Sequence, residues 1–163
     1  MSQRNLFAVP NAATRLTLSA LLVAITIISC GKSKVETAED ALPLITTSDE
    51  LTAASNQAGD RMVVLDLYAD WCMPCRVLSP VLLELAGEYK NNASFYRVNV
   101  DNSPDLARAF GVRGIPYVVF LKHNKAVYTL TGVNPRESYQ KILDICKSAS
   151  SPDECVGQLN DRM

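Results

Sequence analysis

Apolar side chains at Val77, Leu78, Val81, Leu82, Leu85 and Tyr89 recur every three or four residues and predict an amphipathic helix from about Cys72 to Lys90. Pro80 falls inside that span, where it lacks an N–H for the helical ladder and is expected to kink the helix. Before it, Met62 to Ala69 (MVVLDLYA) is a short apolar run of β type, interrupted by Asp66, as in a central strand buried on both faces. Ser94 to Val100 reads as a second strand through Phe95, Val98 and Val100, and Asp105 to Phe110 as a short helix. Tyr117 to Leu121 and Ala126 to Thr131 form a hairpin pattern around Lys122–Lys125, followed by a closing helix from Pro135 to Lys147. Upstream, Thr47 and Glu50 have the spacing of a capping box for a helix to about Gln57, and Leu44-Ile45 offer an optional first strand. Alternation of strands and helices ending in a hairpin predicts an α/β fold, with a central mixed β-sheet flanked by helices on both faces.

The first thirty residues follow a different pattern. Arg4 and Arg15 precede an uncharged apolar run, Leu16 to Ile28, whose thirteen residues span about 20 Å as a helix, against ~30 Å for a hydrocarbon core. A basic flank, a short apolar run and small residues at its end read as an export signal, with an uncleaved membrane anchor as the alternative. Ile27-Ile28-Ser29-Cys30 resembles the lipobox of bacterial lipoproteins. That resemblance implies cleavage after Ser29, lipidation of the Cys30 thiol and a mature chain tethered to a membrane. Gly31 is not the aspartate that retains enteric lipoproteins in the inner membrane, which leaves the outer membrane open as a destination. Ordinary secretion, with Cys30 merely nearby, is the other reading. The chain therefore divides into a signal segment at 1–29, a tether at 30–42, one domain at 43–147 and a C-terminal tail at 148–163.

Composition narrows the partners. The 163 residues are 48% hydrophobic, enough for the core of one ordinary domain. A net charge of −1 without a Lys/Arg cluster gives no sign of a nucleic-acid partner.

Chemistry concentrates at Cys72-Met73-Pro74-Cys75, placed where a strand ends and a helix begins. At a helix N-terminus, unpaired N–H groups and the macrodipole favour a thiolate, the attacking species in thiol–disulfide exchange. The second thiol lies one turn later, within reach of a mixed disulfide formed on the first. Cys72 is thus the expected nucleophile and Cys75 the resolving thiol. A bare Cys-x-x-Cys is also half of a zinc site, but zinc takes four ligands at characteristic spacings. Cys146 and Cys155 do not supply that spacing, and the one histidine, His123, falls in the hairpin turn; no metal or cofactor is expected. A Cys–His hydrolase is disfavoured for the same want of a histidine.

Val64 to Arg76 (VLDLYADWCMPCR) resembles the active-site segment of thioredoxins, and Phe110 to Pro116 (FGVRGIP) resembles their second signature. Gly132 matches a glycine after the last strand. This resemblance implies the thioredoxin fold and assigns further roles. Pro116 corresponds to the family's cis-proline beside the cysteine pair, and Ile115 to the residue whose backbone pairs with an extended substrate. Trp71 corresponds to the aromatic flanking the nucleophile. Asp66 corresponds to a buried aspartate beneath the resolving cysteine, expected to have a raised pKa and to move a proton as that thiol attacks. Pairing with Arg97 for stability alone is the alternative for Asp66. Met73 departs from the glycine commonest in cytosolic thioredoxins, so the redox potential does not carry over. The segment Asp66 to Cys72 is also similar to that of the C-terminal reductase domain of DsbD, an envelope electron carrier.

Cys146 and Cys155 lie outside that core; in an oxidising envelope a structural disulfide pinning the tail is expected, with a second redox pair or free thiols as alternatives. The resulting expectation is a monomeric, lipid-anchored thiol–disulfide oxidoreductase facing the periplasm or other extracytoplasmic side. It would reduce disulfides in exported proteins with electrons from a DsbD-type membrane donor. An envelope thiol oxidase or isomerase, or a non-catalytic binding module of the same fold, are the competing readings.

Overall fold

Strand β1 (Met62–Tyr68) is buried at six successive positions, and only Tyr68 at its end is partly exposed. The structure, a computed structural model, describes residues 41–163. The export-type segment, Cys30 and most of the 30–42 tether lie outside the described residues.

Around β1 the sheet is ordered β2-β1-β3-β4, with β2 at Ala93–Asn99, β3 at Tyr117–Lys122 and β4 at Lys125–Thr131. β2 runs parallel to β1, with Asp66 opposite Arg97, whereas β3 and β4 run antiparallel, with Asp66 opposite Val118. The sheet is therefore mixed, as the pattern predicts. The optional first strand is reduced to a single bridge, Leu44 to Arg97, held by Ile45 N–H to Arg97 C=O at 2.9 Å and by Arg97 N–H to Pro43 C=O at 2.8 Å.

Five helices complete the described residues: α1 (Ser48–Ala58), α2 (Met73–Glu88), α3 (Pro104–Ala109), α4 (Arg136–Cys146) and α5 (Pro152–Arg162). Successive strand side chains point to opposite faces, so β1 feeds two cores at once. Met62 and Val64 pack with Leu78, Leu82 and Leu85 of α2 and with Tyr139, Ile142 and Leu143 of α4. Val63, Leu65 and Leu67 pack with Leu51, Ala54 and Ala58 of α1 and with Leu106 of α3. Asp66 continues the first set and is carried into the α2/α4 face, at 1% exposure. Helix α2 runs unbroken through Pro80.

The capping box at α1 takes a shifted form. Thr47 Oγ1 accepts the Glu50 N–H at 3.2 Å, but the Glu50 carboxylate turns back to the N–H of Thr46, at 2.7 Å, one residue ahead of the N-cap.

The segment at 148–163 is not a tail. Pro152–Arg162 is a helix with Pro152 in its first turn, and Ser151 Oγ caps the Glu154 N–H at 3.1 Å. The Glu154 carboxylate accepts from the N–H of Ser150 at 2.8 Å, the same arrangement as at α1. Cys155 and Leu159 of α5 join the α2/α4 core, and a Cys146–Cys155 disulfide ties α5 to α4, both cysteines being 0% exposed. The disulfide's place inside the α2/α4 hydrophobic core, tying two helices together, favours the structural alternative over a second redox pair. At the hairpin, β3 and β4 are one residue longer at the turn than the pattern suggests. His123 and Asn124 form the two-residue turn with φ of 46° and 64°, the left-handed values such a turn requires. Lys122, placed in the turn by sequence, is instead a buried strand residue whose Nζ donates to the Asp60 carbonyl.

Candidate active site

The chain leaves the end of β1 through Ala69-Asp70-Trp71 and enters α2 at Cys72. Cys72 N–H donates to Ala69 C=O at 3.1 Å, and Arg76 anchors the connection by donating from Nη2 to Asp70 C=O at 2.7 Å. Cys72 is the N-cap of α2, and its Sγ accepts the Cys75 N–H at 3.2 Å. A free backbone donor of the first turn therefore points at that sulfur, an arrangement that favours a thiolate there. Pro74 sits in the first turn, where the missing N–H costs no helical bond. The two cysteines are joined as a disulfide with Cα atoms 5.3 Å apart, and both side chains are nearly buried, Cys75 more deeply.

Ala69, Cys72 and Cys75 form a small apolar cluster with Tyr68, Val100 and Ile115. The Ile115–Pro116 peptide bond is cis, as the resemblance implies. Pro116 C=O accepts from Gly132 N–H at 2.8 Å, which fixes the loop after β4 beside it, and Gly132 adopts φ 76°, a value open to glycine. Among the described residues, neither the N–H nor the C=O of Ile115 has a hydrogen-bond partner. A backbone left open in this way beside a sulfur pair is a ready edge for an extended segment. Trp71 is 67% exposed, and its Nε1–H donates to Asp101 Oδ2 at 2.9 Å. With Met73, Val77 and Val133, also exposed, it makes the surroundings of the pair apolar.

Asp66 sits on the strand that leads into the pair, and its partner Arg97 lines the same cavity as Cys75. Arg97 Nε–H donates to its Oδ2 at 3.1 Å, and the guanidinium stacks 3.5 Å over the Tyr68 ring. Its other oxygen, Oδ1, is buried without a partner among the described residues. Burial pushes the Asp66 carboxyl above the usual aspartate range, and the Arg97 charge and hydrogen bond oppose that rise without cancelling it. Asp66 thus has one oxygen paired with Arg97 and one left over. A cavity of about 180 Å³ lined by Tyr68, Ala69, Asp70, Cys75, Arg76 and Arg97 opens beside the resolving cysteine.

Every predicted site residue in the domain gathers here: Cys72, Cys75, Asp66, Trp71, Ile115 and Pro116. Cys146 and Cys155 belong to the α4/α5 staple, and His123 lies at the hairpin turn, with Nε2 3.0 Å from Asp60 Oδ1. The sequence does not point to Asp101, the partner of Trp71, because that contact spans thirty residues. Tyr139 is likewise missed: its phenol sits wholly buried on the Asp66 side of the sheet and accepts the Asn134 N–H at 3.3 Å.

The thioredoxin family model matches residues 43–145. Thioredoxin 2 of Chlorobaculum tepidum is 39% identical over 85 residues, covering 52% of this chain and 78% of that protein. A thioredoxin of Staphylococcus haemolyticus is 33% identical over 103 residues, covering 63% of this chain and 97% of its own. Among solved structures, Fasciola hepatica thioredoxin superposes with a TM-score of 0.61 at 28% identity, covering 64% of this chain and 99% of that one. A mutant thioredoxin from Halobacterium salinarum gives 0.60 at 28% identity, covering 71% and 98%. The family match stops before α5. Because that match covers more than half of the sequence and contains the cysteine pair, Asp66 and the cis-proline together, the chain belongs to the thioredoxin family and is a thiol–disulfide redox protein.

Proposed function

We propose that this protein reduces disulfides in exported proteins of the bacterial cell envelope while held on a membrane through a lipidated Cys30. The observation that carries the catalytic half is the position of Cys72, at the N-cap of α2 with a backbone N–H on its sulfur. The open backbone of Ile115 at the cis-proline adds a place for substrate.

In the reduced protein the Cys72 thiolate attacks one sulfur of a substrate disulfide. The Cys72–substrate bond forms as the substrate S–S bond breaks, and the departing thiolate takes a proton from solvent. Cys75 then loses its proton toward Asp66 and attacks the Cys72 sulfur. The mixed disulfide breaks, the second substrate thiolate leaves and is protonated, and the Cys72–Cys75 disulfide remains. Two electrons have moved to the substrate. They are restored by a membrane dithiol donor of the DsbD type, which becomes oxidised in turn. The protein acts as a monomer.

Pro74 and Ile115 support the reductive direction, since both resemble thioredoxins more than DsbA-type oxidants. Met73, which departs from the glycine commonest in cytosolic thioredoxins, keeps the potential from carrying over, and the competing reading is an envelope oxidase or isomerase. Equilibration with glutathione decides between them: a potential near about −270 mV fits a reductase, and one near about −120 mV fits an oxidant. Insulin reduction by the intact protein, lost in Cys72→Ser, is the direct test of activity. Acyl labelling of the full chain, lost in Cys30→Ser, tests the anchor.

A further inference from the structure

Tyr139 is a buried titratable group to which the reaction above gives no part. It is 0% exposed and is the one hydroxyl-bearing side chain among the buried residues of α4, whose other inward positions are Ile142, Leu143, Ile145 and Cys146. It packs with Val64 and Val118, the strand residues that flank Asp66 on β1 and face it from β3. A buried hydroxyl on an otherwise apolar helix face is costly unless both its lone pairs and its proton are used. The phenol oxygen accepts the Asn134 N–H at 3.3 Å. Its proton has no acceptor among the described residues. On the same face, Asp66 Oδ1 is an acceptor without a donor, in a side chain 1% exposed. One buried donor and one buried acceptor are each left over, on the same side of one sheet.

We propose that Tyr139 is a positioning residue for Asp66: its hydroxyl proton is directed at the free carboxylate oxygen across a single bridging water, while its oxygen holds the loop after β4. The acid is then gripped on both oxygens, by Arg97 on one and by Tyr139 on the other. The same phenol connects the acid to the substrate groove, because Asn134 follows the Gly132-Val133 step that is bonded to Pro116. Burial raises the Tyr139 pKa, hydrogen bonding from Asn134 opposes the rise, and the Asp66 charge adds a smaller increment. The charged or titratable groups around the acid are Arg97 from β2, Tyr68 two residues along β1 and stacked by Arg97, Tyr139 from α4, and Cys75 of α2, which shares a cavity wall with Arg97; β3 presents only Val118. The inference rests on the proposed role of Asp66 as proton acceptor for Cys75.

The test is a carboxyl-carbon NMR titration of Asp66 in the wild-type protein, Tyr139→Phe and Tyr139→Leu, each in the oxidised state. Loss of a hydrogen bond to the charged form disfavours that form, so both substitutions are expected to raise the Asp66 midpoint by at least ~0.5 pH unit, about threefold in proton affinity. The pH profile for resolution of a mixed disulfide at Cys72 shifts alkaline by the same amount, and it does not shift when Tyr139→Phe is added to Asp66→Asn. An unchanged midpoint in Tyr139→Phe overturns the proposal, as does a shift seen only in Tyr139→Leu, which would assign it to packing. A shifted midpoint with an unmoved rate profile would instead overturn the role of Asp66 while leaving its coupling to Tyr139 intact.

Discussion

Arg97 binds Asp66 through one oxygen only, at 3.1 Å, and keeps the rest of its guanidinium over the Tyr68 ring. An ion pair made this way satisfies half of a carboxylate, and burial governs the other half. The consequence is an acid whose pKa stays above the ordinary range although an arginine touches it.

Asp66→Asn separates the two sides of that arrangement. The raised native pKa means that the unfolded chain releases the proton first, so Asp66 lowers stability progressively as pH rises from its unfolded to its native midpoint. Asn removes this penalty, while Arg97, still partly exposed, keeps its hydration. Thermal melts are expected to show Asp66→Asn above wild type at pH 8, with the gap closing toward pH 4. The same variant should lose up to ~10²-fold in the resolving step, the usual scale for one proton-transfer group. A wild-type rate at pH 7 would remove Asp66 from the reaction.

The two disulfides differ in what surrounds them and should differ in use. Graded dithiothreitol followed by thiol alkylation is expected to free Cys72 and Cys75 first, with Cys146 and Cys155 blocked until α5 opens. Cys146→Ser with Cys155→Ser is expected to keep insulin reduction and lose about 2–3 kcal/mol of stability, the scale for closing a short loop. Release of four thiols at one reductant concentration would contradict this separation.

Lys122 carries a cation in a buried position, where desolvation pushes its pKa below the usual lysine range against the opposing pull of Asp60 and Glu154. A base with a lowered native pKa lowers stability below that pKa, and the penalty fades as pH rises toward its unfolded value. Lys122→Met fills the same space without charge. Its melting temperature is expected to exceed wild type at pH 7 and to converge on it by pH 10, as read by calorimetry.

Trp71 is fixed by Asp101 and not by burial. Asp101→Ala should leave the melting temperature nearly unchanged, since an exposed side-chain hydrogen bond contributes only about 0.5–1.5 kcal/mol. It should raise KM for protein disulfides with little change in kcat, because a loosened indole presents a less ordered contact. An equal fall in kcat would place Asp101 in the chemistry instead.

Much of this site is legible along the chain because its parts are local. Cys72 and Cys75 are one turn apart, the strand before them is a run of apolar residues, and Asp66 is conspicuous as the acid inside it. The α2 periodicity also survives in Leu78, Val81, Leu82, Leu85 and Tyr89, which pack in the α2/α4 core, while Val77 stays exposed near the cysteine pair in sequence. What is not legible depends on distant segments. Lys122 looks like a turn residue until α5 and the Asp60 loop cover it, and Trp71 shows no sign of its partner thirty residues on. The missed helix α5 is a different case. Its apolar positions are too few to mark a period, yet Ser151 and Glu154 repeat the cap spacing of Thr47 and Glu50, with proline directly after the N-cap. That signature alone would have found it.

The Cys146–Cys155 staple places a ceiling on the protein's own working conditions. A reductant able to strip it would remove the stability that the closed α4–α5 loop contributes, so the proposed donor to Cys72 has to leave Cys146 and Cys155 oxidised. The staple itself is made by a reaction that takes electrons from the chain. A protein proposed to give electrons to others is, in its maturation, a client of the opposite trade.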